Sequence, residues 1–143
     1  MRIYLAGPMR GYPEYNFPTF DYAAKRLRQA GHEVVSPAEL DRAVGVHEFT
    51  TLLPPGFMRG AMKRDLPAIC DCDAIVLLPG WERSSGVGVE KYLADFLGLM
   101  VFQSSMDEHD IGETSLDGYM TDIINLIQLE VAHRAIEPTC ASA

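Results

Sequence analysis

Basic side chains are scarce and scattered. Lys and Arg number 12 against 20 Asp and Glu, a formal net charge of −8 over 143 residues, with no basic run along which phosphates could track. A nucleic-acid polymer is therefore not an expected partner. Cysteine is equally sparse: Cys70, Cys72 and Cys140 are odd in number and lack metal-ligand spacing, and His32, His47, His109 and His133 stand apart. That excludes a disulfide framework and a structural zinc, and points to a reducing, cytoplasmic setting. No segment approaches the roughly 20 apolar residues of a membrane span, and the apolar start Ile3-Tyr4-Leu5-Ala6 is too short for a signal peptide, so neither membrane nor export is expected. The phosphate-loop ending Gly-Lys-Ser/Thr and the Gly-x-Ser-x-Gly elbow are also missing, which sets aside ordinary NTPases and serine hydrolases of that class. What remains, 48% hydrophobic and 22% charged, is the composition of one ordinary folded domain.

The apolar pattern alternates between strands and helices. Ile3 to Ala6 reads as a buried strand that Gly7-Pro8 ends, followed by a loop to about Asn16. Asn16 as cap, Pro18 in the first turn, and Phe17, Phe20, Ala24 and Leu27 at helical spacing predict a helix that Gly31 stops. His32 to Pro37 is the next strand, and the short joints imply a parallel pair with a right-handed crossover. Residues 38–57, broken by Gly45, Thr50-Thr51 and Pro54-Pro55-Gly56, carry no period and read as a partly ordered excursion, a candidate lid. From Phe57 to Cys70 a helical stripe of Met58, Met62, Leu66 and Ile69 includes Asp65, with Pro67 expected to kink the helix or begin a new turn. Asp73 to Leu78 has the continuous apolar character of a central parallel strand. Gly86 to Leu97 is a further helix, and Leu99 to Phe102 a further strand. Ser115 is the expected cap of a last helix whose apolar residues cover more than one face, which suggests packing on a second copy. The expectation is a single α/β domain over residues 1–137, an open and mostly parallel sheet flanked by helices in the flavodoxin-like or Rossmann-like manner, with 138–143 a frayed tail.

In such sheets ligands sit beyond the carboxyl ends of the strands. Gly7-Pro8-Met9-Arg10-Gly11 and Ser84-Ser85-Gly86-Val87-Gly88-Val89-Glu90 meet that condition. Gly86 and Gly88 let backbone N–H groups approach an anion at a helix N-terminus, with Ser84 and Ser85 hydroxyls and Arg10 as further donors; the plainer alternative is a tight turn. Glu90 at a helix start complements the macrodipole or, beside an anion-binding turn, attacks a sugar carbon. Asp65, whose chain position puts it near the sheet edge of a helix, is a third candidate, with an inward cap or a salt bridge to Arg64 or Lys63 as the structural alternative. Tyr4 is most simply core.

These residues resemble the nucleoside 2-deoxyribosyltransferase superfamily, and within it the 2'-deoxynucleoside 5'-phosphate N-hydrolases and their uncharacterised phage and bacterial homologues. Tyr4-Leu5-Ala6-Gly7-Pro8-Met9-Arg10-Gly11 is similar to that group's opening Tyr-x-x-Gly-Ser-x-Arg-Gly. Arg64-Asp65 before Ile69 and Cys72-Asp73 resembles its Asp helix, and Ser84-x-Gly86-x-Gly88-x-Glu90 its nucleophile segment. The resemblance covers residues 1–102 and is weak beyond them. It implies Glu90 as nucleophile at the anomeric carbon, Asp65 as proton donor and acceptor, and Tyr4 as the group orienting the glutamate. Gly7, Arg10, Gly11, Ser84, Ser85, Gly86 and Gly88 would surround a 5'-phosphate. No cofactor or metal is implied. The substrate would be a small-molecule nucleotide, hydrolysed to free base and sugar 5-phosphate, and the chain a homodimer or higher homo-oligomer whose neighbour helps complete the site. The deoxyribosyltransferases tend to carry Asp at position 84, where Ser84 removes a charge that would repel phosphate. Pro8 departs from the hydrolase Ser and loses a hydroxyl and an N–H. Base exchange by a deoxyribosyltransferase and non-catalytic nucleotide sensing are the rival readings.

Overall fold

The computed structural model describes residues 1–105 and 113–137. The tail expected at 138–143, with Cys140, and His109 lie outside them. Strands β1 (Arg2–Ala6), β2 (Glu33–Val35), β3 (Ala74–Leu77) and β4 (Met100–Phe102) form one parallel sheet in the order β2-β1-β3-β4. Helices α1 (Phe17–Gln29), α2 (Pro37–Ala43), α3 (Phe57–Cys70), α4 (Ser85–Phe96) and α5 (Glu113–Ile136) complete the expected open α/β arrangement.

Alternate side chains of a strand point to opposite faces, and that alternation divides the core in two. Ile3, Leu5, Ala74, Val76 and Leu78 pack with Phe17, Phe20 and Leu27 of α1 and with Tyr119, Met120, Ile123 and Ile127 of α5. Tyr4, Ala6, Ile75 and Leu77 point the other way, onto Ile69 of α3 and Val87 and Ala94 of α4. Each fully buried large apolar side chain adds roughly 1.5–3 kcal/mol. The strand order reverses between β1 and β3, so the loops after those two strands diverge and leave a crevice at the carboxyl edge.

Several local expectations are corrected. Asn16 does not cap α1: its backbone is left-handed (φ 60°), and its Nδ2 donates instead to the Pro8 carbonyl at 2.8 Å. Glu14, Tyr15 and Asn16 are three consecutive non-glycine residues at positive φ, a strained turn that the sequence does not announce. The stretch at 38–57 is not wholly irregular, because Pro37 opens α2 with Ser36 before it in extended conformation. Helix α3 continues through Pro67. α4 begins one residue earlier than expected, with the Ser84 side chain accepting from the Val87 N–H at 3.3 Å. Ser115 lies inside α5, not at its cap.

Candidate active site

The crevice holds a cavity of about 470 Å³. The loop after β1 forms one wall. A Cβ on Gly7 would stand 2.9 Å from the Leu78 Cβ and 3.3 Å from the Phe20 ring, so only glycine lets this loop lie against the end of β3. Gly11 turns the chain back at φ +81°, and the Tyr12 N–H donates to the Met9 carbonyl at 3.3 Å. The opposite wall is the start of α4. Capping occupies the Val87 N–H, and the Gly88 N–H donates to the Ser84 carbonyl at 3.1 Å, so the helix itself consumes both. The Ser85 and Gly86 N–H groups have no intrahelical acceptor and adjoin the cavity. A Cβ at Gly86 would make only ordinary contact, 3.6 Å from the Met62 methyl, so protein packing does not account for this glycine.

Gly7, Arg10, Gly11, Ser84, Ser85, Gly86, Asp65 and Glu90 all line the cavity; Gly88 does not. Tyr4 lies behind it, fully buried, and its hydroxyl donates to Glu90 Oε1 at 2.8 Å. Glu90 is the sixth residue of α4 and 5% exposed, which removes the macrodipole role considered for it. Asp65 is also 5% exposed, and its Oδ1 has no hydrogen-bond partner. The ion pair considered for Asp65 goes elsewhere: Arg64 donates to Asp41 Oδ1 at 3.2 Å. Asp41, on α2 and 4% exposed, is a third buried carboxylate at the cavity that the sequence reading missed. The Ser36-Pro37 pair, a cap-and-first-turn signature, was the signal that could have placed it on a helix.

Residues 1–103 match the model of a domain family of unknown function, DUF4406. The chain belongs to this family. The matched region holds all four strands and every candidate site residue, so the DUF4406 domain carries the whole crevice. No curated protein matches the sequence. Among solved structures, the 2-deoxyribosyltransferase of Bacillus psychrosaccharolyticus aligns over 86% of this chain and 82% of its own, at 23% identity and a TM-score of 0.59. The DUF4406 chain therefore has the fold of that enzyme.

Electrostatically, burial raises the acids of the DUF4406 site. Burial pushes Glu90 from an ordinary 4.5 to about 8, against the Tyr4 hydrogen bond that pulls it down and with help from the Asp65 and Asp41 charges. Burial, then the Asp41 charge, pushes Asp65 from 3.8 to about 7, opposed by Arg64. Asp41 is raised by burial and pulled back by its Arg64 contact. Burial, the Glu90 and Asp65 charges and the hydrogen bond to Glu90 hold Tyr4 well above its usual value, so it remains a phenol and a donor. Positive charge beside Glu90 would favour its carboxylate form.

The remainder of the cavity is mostly apolar and aromatic, including Tyr12, Tyr15, Val46, Leu53, Phe57 and Met58, with Arg83 beside Ser84 as a further cation in its wall. The segment 44–56 supplies Val46 and Leu53 and is tied down by Arg42, which binds Glu48 and both oxygens of Asp21, and by the Tyr15 hydroxyl, which donates to the Thr50 carbonyl. Arg10 is exposed at the rim, with no ion pair among the described residues.

Proposed function

We propose that this chain is a nucleotide N-glycosidase that hydrolyses (deoxy)nucleoside 5'-monophosphates to free base and sugar 5-phosphate. One observation carries the reading. Helices α3 and α4 deliver Asp65 and Glu90 to one cavity, and strand β1 places Tyr4 behind it, with a hydrogen bond from Tyr4 to Glu90 and a free buried oxygen on Asp65.

Cleaving an N-glycosidic bond builds positive charge on the sugar and negative charge on the base. The Glu90 carboxylate attacks the anomeric carbon as the bond to the base nitrogen breaks, and Asp65 protonates the departing base. Asp65, now ionised, takes a proton from water, which displaces Glu90 and yields the sugar 5-phosphate. Tyr4 holds Glu90 in line throughout. The donors at the Ser84–Gly86 turn, together with Arg10, suit the dianionic 5'-phosphate. Pro8 contributes neither hydroxyl nor N–H to that cradle.

The rival reading is base exchange, favoured by the shared fold with a 2-deoxyribosyltransferase. There a second nucleobase takes the place of water on the same Glu90 intermediate. Non-catalytic nucleotide sensing would use the phosphate cradle without Glu90. The reading includes a homodimer: Leu126, Leu129, Val131 and Ile136 of α5 and Tyr92 and Phe96 of α4 are exposed apolar residues that a second copy would cover. It also includes a cytoplasmic setting, in keeping with the free thiols of Cys70 and Cys72 and with the lack of any helix among the described residues long and apolar enough to cross a membrane.

The test is incubation of the chain with a panel of nucleoside and deoxynucleoside monophosphates, alone and with a second free base, followed by chromatography. Free base appearing without an added acceptor is the expected result. Exchange that requires the acceptor supports the transferase, and neither product leaves sensing.

A further inference from the structure

Asp41 has no part in the chemistry above, yet it is a buried carboxylate in the wall of the cavity. A carboxylate so placed is costly unless it is paired. Its ion pair is with Arg64, a single contact at 3.2 Å from a side chain that also lies over the Phe57 ring at 5.7 Å. Its position is informative. Helix α2 follows β2, on the far side of β1 from the α4 turn that follows β3. A nucleotide whose phosphate sits at Ser84–Gly86 extends across β1 toward α2, past Glu90 and Asp65. Asp65 lies where the leaving nitrogen must be, and its unpartnered Oδ1, on a residue 5% exposed, independently marks that end of the cavity as a place for a polar ligand. Beyond it, Val46, Phe57 and Ala61 offer apolar walls for the faces of a flat ring.

We propose that Asp41 reads the edge of the nucleobase, accepting a hydrogen bond from an exocyclic amino group, so that the substrates are nucleotides of amino-bearing bases rather than their keto counterparts. This rests on the nucleotide N-glycosidase reading. An ionised carboxylate only accepts; burial raises Asp41, and the Arg64 guanidinium at its Oδ1, joined by a donor on the ligand, works against that burial to hold the ionised form. Adenine and cytosine present an N–H2 donor where hypoxanthine and uracil present a carbonyl oxygen. The carbonyl would set two acceptors against each other, leaving the second Asp41 oxygen without a donor from the ligand. Sites built to hydrogen-bond one partner discriminate strongly against the analogue that cannot.

Two matched pairs test it, dAMP against dIMP and dCMP against dUMP, with kcat/KM measured for the parent chain and for Asp41→Asn. The expected parent preference is about tenfold or more for the amino member of at least one pair. Asparagine also donates, so the variant should collapse or invert that ratio. Equal efficiency within both pairs, or a preference that Asp41→Asn leaves unchanged while all rates fall together, would overturn the proposal and leave Asp41 as the structural partner of Arg64. Should Asp41→Asn fail to fold, inhibition of the parent by free adenine against free hypoxanthine reads the same preference, and equal inhibition overturns it. Release of base from none of the four nucleotides counts against the glycosidase reading instead. Calorimetric affinities of the same pairs then decide the role of Asp41, with equal affinity within each pair counting against it.

Discussion

The two faces of this sheet are built from the same strands and do opposite work. On the α1/α5 face, Ile3, Leu5, Val76 and Leu78 meet an apolar layer, and the buried hydroxyl of Tyr119 is paired with the Leu77 carbonyl. On the α3/α4 face, one residue along the same strand, Tyr4 meets Glu90, and Asp65 keeps an unpaired oxygen. The first face buries apolar side chains and adds stability. The second face holds buried acids that weaken the fold, a cost that native structures keep where chemistry needs it. The buried acids thus lie on one side of the sheet, and period-2 alternation along β1 is what turns Tyr4 toward them and its neighbours toward the apolar layer.

Breaking the contrast from the chemical side should give the largest effect. Glu90→Gln keeps the volume and removes the nucleophile, so base release should fall by on the order of 1000-fold or more, measured as kcat on monophosphates. The same variant should be more stable at alkaline pH. In the fold Glu90 keeps its proton up to about 8, while the unfolded chain loses it near 4.5. Between those values the folded state binds the extra proton, so the stability of the parent falls as pH rises through the window and remains low above it. Gln escapes that loss, which predicts a melting temperature higher by on the order of 5 °C at pH 8 and little different at pH 4. Near-normal turnover, or a variant that melts lower at pH 8, would erase the distinction between the faces.

The mirror experiment is Leu5→Ala. Leu5 is fully buried on the inert face, so its truncation should cost about 2–5 kcal/mol in denaturant unfolding while the rate per folded molecule is unaltered. A large drop in rate would mean that the faces are coupled. Arg10→Ala tests the rim: about 2 kcal/mol of transition-state stabilisation, roughly 30-fold in kcat/KM, should be lost on monophosphates and far less on nucleosides. An equal loss on both forms would make Arg10 a loop-ordering residue. The smallest effect is the pH profile. The working form needs Glu90 ionised and Asp65 protonated, and the pair titrates at about 7 and 8. The rate of base release should therefore peak between those values, with Glu90 gaining a proton below and Asp65 losing one above. A rate still rising toward pH 5 would break the assignment of roles.

Most of the fold was legible because its signals are local. The apolar run at 74–77, the helical spacing of Phe17, Phe20, Ala24 and Leu27, and the glycine at 31 each fix an element by themselves. At the candidate site, Tyr4, Asp65 and Glu90 were singled out through the motifs of the resembling family, and the structure places them together. Asp41 was not, because it lies on a seven-residue helix inside a stretch dominated by Gly, Thr and Pro, where the period is too short to register. The left-handed turn at Glu14–Asn16 was invisible for another reason. None of those residues is glycine, and only tertiary contacts such as the Asn16 bond to the Pro8 carbonyl hold the backbone there. Gly88 was over-read, since a glycine in a first turn looks the same in sequence whether or not its N–H is already taken by the helix.

The tethering of residues 44–56 bears on how the chamber could be re-engineered. That segment adds no strand to the sheet, yet Val46 and Leu53 form part of the chamber wall, and the Arg42–Glu48 and Tyr15–Thr50 contacts fasten it beyond its backbone bonds to the end of α2. It is a detachable cover with two clasps. Exchanging it between relatives, with both clasps kept, would alter what the chamber admits and leave the proton chemistry of Tyr4, Asp65 and Glu90 as it was, which makes it the stretch where a change of substrate is easiest to introduce.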